Sequence, residues 1–194
     1  MSTITEVITK DHRNIEQYYN EVVQSSDLDH QERYGNQFTW EVSRHSHAEE
    51  LVVYPAFEKY LGHEGKAMAE KDRAEHHEVK LFLKTFQNMK AKDADYVSKI
   101  KEVMARLSSH IEEEERDDLP ALEKALSGHA GVSESLAKKF GTTKALVPSR
   151  SHPKAGEHPP FETVVGALAG PIDHVADVFR KFPDNKISPN PSTK

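Results

Sequence analysis

Apolar residues recur at helical spacing over the first two-thirds of the chain, and histidines and acids fill the gaps in that spacing. Ile4, Ile8, Ile15, Tyr19 and Val22 share one face at the 3.6-residue period, with His12 in the slot between Ile8 and Ile15. Ser2 or Thr3 is placed to cap this helix, which runs to about residue 25, and Asp27-Leu28-Asp29-His30 reads as a turn. The next stripe is Phe38, Val42, Val52 and Phe57, where His45 and Glu49 occupy the missing steps and Gly62-His63-Glu64-Gly65 ends the helix. A third helix over about 66–90 carries Met68, Val79, Leu83 and Phe86, with Asp72 and His76 in its remaining slots. After a short turn at 91–95, a fourth helix reaches about 127 with Tyr96, Ile100, Val103, Leu107, Ala121 and Leu122, interrupted by His110 and Glu114. Four long amphipathic helices with short connections predict an all-α, antiparallel up-down-up-down four-helix bundle. Pro55 and Pro120 should kink or cut their helices, because each lacks a backbone donor and crowds the carbonyl four residues back.

The composition shifts after Gly128, which divides the chain into a bundle (1–127) and a C-terminal extension (128–194) that wraps it. A short helix over 133–140 is expected to stop at Gly141, followed by a Pro-, Ser-, Lys- and His-rich loop to residue 160. Phe161, Val164, Val165 and Leu168, then Pro171 opening a run with Ile172, Val175, Val178 and Phe179, predict two short amphipathic helices packed on the bundle. Residues 183–194 are expected to fray.

The polar interruptions belong to an internal repeat. Residues 45–61 and 110–126 both read H-x3-E-E-x4-P-A-φ-E-K-x-L, with φ apolar. Asp11-His12-x2-Ile15 likewise resembles Glu75-His76-x2-Val79, and the next inward histidine follows after 33 residues in the first half and 34 in the second. The bundle is therefore one helical hairpin used twice, with His12, His45, His76 and His110 at a similar depth. A His and a Glu four apart stack on one helix face and can hold one cation between them. A solvated ion pair explains a single copy, but two copies at identical spacing require a shared cause. Burying these groups costs several kcal/mol unless each finds a partner. A buried His–Glu network without metal is the competing reading, and four imidazoles and two carboxylates satisfy one another poorly at neutral pH.

Composition narrows the chemistry. Of 194 residues, 30% are charged and none is cysteine, which excludes disulfides, thiolate metal sites and cysteine nucleophiles. The formal charge of −6 and the lack of a basic stripe argue against nucleic acid or an anionic membrane as partner. No signal segment or long apolar run stands out, so a cytoplasmic protein is expected. Four histidines with Glu49 and Glu114 form a hard-to-borderline donor set suited to iron, or to manganese, and less to tetrahedral zinc. Two carboxylates for four imidazoles point to two ions, with Glu49 and Glu114 bridging and the histidines terminal, two per ion. An oxo or hydroxo bridge completes this picture and leaves a position for dioxygen or a peroxide.

His12, His45-x3-Glu49, His76 and His110-x3-Glu114 resemble the hemerythrin-like HHE cation-binding domain over roughly residues 4–127. Ser149-Arg150-Ser151-His152-Pro153 and Pro159-Pro160-Phe161-Glu162-Thr163 are similar to the C-terminal extension of fungal members. The resemblance implies a non-haem di-iron centre, in a family whose members carry dioxygen, sense iron or oxygen, handle nitric oxide or catalyse oxidations. Oxygen-carrying hemerythrin has a fifth histidine four residues before the one on the third helix. Here that position is Asp72, open to three readings: a seventh ligand, a base beside the site, or a surface acid. A missing imidazole favours a reactive or regulatory centre over a carrier.

Of the remaining histidines, His47 and His77 are expected at the surface or rim, and His30, His63 and His129 in turns. His152 is expected to anchor a loop, with the site's open end as its alternative. Glu50 and Glu115 are either acceptors behind the ligands or solvated charges. The expected function is activation of dioxygen or a peroxide, as in an oxidase, oxygenase or peroxide- or nitric-oxide-handling oxidoreductase with an unidentified small-molecule substrate. Non-enzymatic iron, oxygen or nitric-oxide binding or sensing is the alternative, and a metal that merely ties the hairpins together is a third.

Overall fold

Thr3 opens the first helix with a reciprocal cap: its Oγ1 accepts the Glu6 N–H at 3.2 Å, and Glu6 Oε2 accepts the Thr3 N–H at 3.1 Å. This helix, α1, spans Ile4–Gln24 in the computed structural model, which describes residues 2–153 and 161–184. Asp27 caps α2 (Leu28–Ala48) by accepting the N–H groups of Asp29 and His30 on Oδ1 at 2.8 and 3.2 Å. Leu28 to His30 thus already belong to the helix and not to the expected turn.

The two prolines do not cut their helices. Ahead of each the chain widens into one π-helical turn, Glu49–Val53 and Glu114–Asp118, where Tyr54 and Leu119 donate to the carbonyls of Glu49 and Glu114 five residues back. A proline cannot donate to the carbonyl four residues earlier and collides with it; the wider turn moves that carbonyl aside. Helix then resumes as α3 (Tyr54–Phe86) and α5 (Leu119–Leu126), with α4 (Tyr96–Glu113) preceding the second π turn. Both copies of the repeat therefore share a local distortion as well as a sequence.

Within α3 the helical path breaks at Gly62, whose φ of 62° and ψ of −127° suit glycine alone. The break separates the expected second and third helices. A methyl at Gly62 would meet no atom within 4 Å, so its cost is backbone strain. Gly62→Ala should therefore lower stability by about 1–3 kcal/mol, seen as a reduced urea midpoint at unchanged slope. An unmoved midpoint would refute the assignment of strain.

Two apolar layers stabilise the bundle. In one, Ile15, Tyr18 and Val22 of α1 meet Phe38 and Val42 of α2, Leu83 and Phe86 of α3, and Ile100, Val103 and Leu107 of α4. In the other, Ile4 and Ile8 meet Val52, Tyr54, Phe57, Leu119, Leu122 and Phe140. Full burial of each such side chain is worth about 1.5–3 kcal/mol. The layer between them is polar. Helix α1 packs along α2 and α3 along α4, with early residues of α1 beside late residues of α2.

The extension departs from its expected outline. Helix α6 runs Val132–Leu146, through Gly141 rather than stopping there, and packs on α1, α2 and the first π turn. Helix α7 is one helix, Phe161–Asp177, with Pro171 inside it, where two were expected. Beyond Pro171 its apolar residues do not cover the bundle, and the side chains of residues 161–168 lie outside the described ones. Ile172, Val175, Val178 and Phe179 are exposed, while Asp173 and Asp177 face inward. Ser149 Oγ donates to Asp177 at 2.6 Å, and His152 Nε2 lies 2.9 Å from Asp173, so polar partners in the loop selected the acidic face. Phe182 and Pro183 are buried, with the Phe182 carbonyl accepting from Arg33, so fraying does not begin at Pro183. His158 and residues 185–194 lie outside the described residues. Among the described residues no helix is long and apolar enough to cross a membrane.

Candidate metal centre

The polar layer contains the six residues singled out by the repeat. His12, His45, Glu49, His76, His110 and Glu114 come from α1, the α2–π junction, α3 and the α4–π junction, and none is more than 2% exposed. The histidines converge in two pairs. His12 and His45 bring their Nε2 atoms within 3.1 Å, and so do His76 and His110. Two nitrogens about 2.1 Å from one cation, at right angles, stand about 3.0 Å apart. Glu49 joins the pairs, with Oε1 3.1 Å from His45 Nε2 and Oε2 3.4 Å from His76 Nε2. Glu114 Oε2 is 3.4 Å from His12 Nε2.

Behind each imidazole stands a carboxylate. His12 Nδ1 lies 2.8 Å from Glu115, His76 Nδ1 3.2 Å from Glu50, His110 Nδ1 2.9 Å from Glu75, and His45 Nδ1 3.5 Å from Asp11. The arrangement respects the repeat: Asp11 matches Glu75, and Glu50 matches Glu115. Such acceptors orient imidazoles and aim the opposite nitrogen at a cation. Asp11 and Glu75 were not singled out from the sequence, although their position one residue before a repeated histidine was the available signal.

None of the four carboxylate oxygens of Glu49 and Glu114 accepts a hydrogen bond among the described residues. Buried carboxylates without donors are costly, so this donor set fits cations and satisfies itself poorly. The electrostatics of the layer agree. Burial disfavours a charged His45, yet the Glu49 and Asp11 carboxylates raise it to about 10. Burial opposes the same shift at His110, where Glu75 and Glu114 raise it to about 9. Burial pushes Glu114 upward, but His12 and His110 hold it at about 2. Protons on imidazoles thus balance the carboxylates where cations would.

Asp72 is 1% exposed, so it is not a surface acid. It gathers with Glu75 and His110 at ligand-atom separations within 4.8 Å, and burial raises its carboxyl to about 8. His47 is buried, not solvent-facing; its Nδ1 is 2.6 Å from the Ser43 carbonyl, and burial lowers it to about 4. The extension and Lys80 enclose that side of α2, which a lone amphipathic helix would have left open. Lys80 Nζ donates to Glu50 at 2.7 Å, and Lys144 of α6 donates to both Asp11 and Glu41.

Tyr54 was missed by the sequence reading. Its hydroxyl is buried 3.0 Å from His76 Nε2, and burial raises it well above the usual tyrosine range. The second copy of the repeat has Leu119 at that position, and this asymmetry was the signal. His77 is partly buried, His63 and His129 are exposed, and His30 lies 2.9 Å from Glu21. His152 anchors its loop to Asp173.

The hemerythrin HHE cation-binding domain model matches residues 3–122. An uncharacterised hemerythrin-like protein of Schizosaccharomyces pombe is 49% identical over 183 residues, covering 94% of this chain and 89% of that protein. A DNA nickase of Nostoc is 25% identical over 147 residues, which are 76% of this chain and 40% of that protein. No solved structure matches. On the family match and the 49% identity, the chain belongs to the hemerythrin HHE cation-binding family.

Proposed function

We propose that the polar layer holds two iron ions, with manganese as the alternative, and that the protein binds and activates dioxygen or a peroxide there. The observation that carries this reading is Glu49, whose two oxygens divide between the two histidine pairs at 3.1 and 3.4 Å. His12 and His45 would hold one ion and His76 and His110 the other, with Glu49 and Glu114 shared and Asp72 an added donor beside His110. The early-α1 to late-α2 pairing supports an antiparallel bundle around them. Such a pair of ions supplies redox chemistry and an open position for a small ligand.

The chain's own groups supply the rest. Tyr54, kept protonated by burial, is a hydrogen-bond donor 3.0 Å from the His76 donor atom. Asp11, Glu50, Glu75 and Glu115 fix the imidazole orientations. Complete burial of the six donors suits a diatomic or a peroxide better than a bulky substrate. That closure also supports a second reading, non-enzymatic binding or sensing of iron, oxygen or nitric oxide. The nickase relative adds no nucleic-acid role here: the match spans 40% of it, and a formal charge of −6 opposes a polyanion.

Metal analysis and an optical titration of reduced protein against oxygen test the proposal. Two irons per chain and near-ultraviolet absorption that responds to air are expected; a colourless protein with one zinc would overturn it. Turnover with a reductant separates an enzyme from a reversible binder. Tyr54→Phe should keep its iron yet slow turnover about 10-fold or more, if the hydroxyl donates a proton. An unchanged rate removes that role.

A further inference from the structure

The Ser149-Arg150-Ser151-His152-Pro153 stretch has no part in the metal site, yet its Arg150 borders a cavity of about 230 Å³ between the bundle and the extension. Glu32 of α2, Lys90 after α3, Tyr96 of α4, and Arg150, Arg180 and Lys181 of the extension line it. Three of its four cations are engaged. Arg180 donates to Asp177 at 2.5 Å, Lys181 to Asp29 at 2.5 Å, and Lys90 to Glu32 at 3.3 Å.

Arg150 is different. The residue is 9% exposed, but among the described residues its guanidinium enters no hydrogen bond or ion pair. The acids near it are already occupied. Asp173 accepts the backbone N–H of Arg150 at 3.1 Å and faces His152, while Asp177 takes Ser149 and Arg180. Burial and the neighbouring Arg180 charge push the guanidinium down to about 10. A largely buried arginine whose five guanidinium donors are unused beside a cavity is well suited to an oxyanion. We infer that this cavity binds a small oxyanion, a phosphate or carboxylate group, with the Arg150 guanidinium as its anchor and Lys90 and Lys181 at its rim. The volume is below that of sites for drug-sized molecules, so the ligand is little larger than the charged group itself.

Calorimetric titration of the full-length protein with inorganic phosphate, and separately with acetate, against chloride at equal ionic strength, tests this. One saturable phosphate or acetate site per chain is expected, and the tighter of the two names the group. Arg150→Gln should weaken it at least 10-fold and Arg150→Lys several-fold, with iron content unchanged. Arg116→Gln, at an exposed arginine elsewhere, should leave it intact. Without phosphate, Arg150→Gln should melt no lower than wild type, and only wild type should gain from phosphate. Binding no stronger than chloride, equal binding by Arg150→Gln, or an equal loss of stability with and without phosphate would each overturn the site. None of these outcomes bears on the metal reading.

Discussion

Glu49→Ala is expected to lose both metal ions rather than one. Its two oxygens face different histidine pairs, whereas Glu114 is closest to His12. Removing an acceptor that merely orients a ligand costs about 10–100-fold in metal affinity, and losing a shared ligand should exceed that. Iron per chain after dialysis should fall from about two, the proposed stoichiometry, to well under one, and the absorption should disappear. Folding provides an internal control. Metal-free Glu49→Ala should still unfold cooperatively but below metal-free wild type, because it loses the carboxylate 3.1 Å from His45 that pairs with the protonated imidazole. A variant that still holds two irons would disprove the shared role.

Chelation is expected to produce the largest loss of stability. A cation present at a thousandfold over its dissociation constant stabilises the native state by about 4 kcal/mol. For a chain of this size that corresponds to roughly 8–16 °C in melting temperature. The dependence on pH has a definite sign. In the metal-free protein His45 and His110 titrate at about 10 and about 9, above their ordinary 6.5. Their contribution is therefore complete below pH 6.5 and lost as pH rises through 9 to 10. Metal must displace the same protons, so its affinity falls as pH falls. The gap between metal-loaded and metal-free melting temperatures should thus widen from about pH 6 to about pH 9. A gap that narrows would show that protons and cations do not compete for these imidazoles.

The centre is nearly symmetric, which makes its asymmetry at Tyr54 informative. Four histidines have four carboxylates behind them in matching positions, yet Tyr54 stands where the other half has Leu119. The two ions would therefore differ in the hydrogen bonds offered near them. An asymmetric donor beside His76 is a reason for chemistry to favour that half.

Much of this was legible in the amino-acid order. Apolar spacing dictates the long helices, because an apolar stripe must be buried. The repeat marks the six donors, because histidine and glutamate in core slots need a partner that water cannot supply there. Glu50 and Glu115 were legible only as alternatives, since adjacency to a ligand does not reveal which way a side chain turns. Other features depended on three-dimensional contacts. The π turns arise from proline meeting a helix that tertiary packing will not let end, and local propensity alone favours a break. His47 is buried because the extension and Lys80 enclose α2 on the side its own pattern leaves polar. Helix α7 turns its acids inward because Ser149, Arg150 and His152 offer hydrogen bonds that outweigh burial of Ile172, Val175 and Phe179. The order of residues determined which donors exist and at what depth; the packing of distant segments decided which of them face one another, since that depends on neighbours no local pattern encodes.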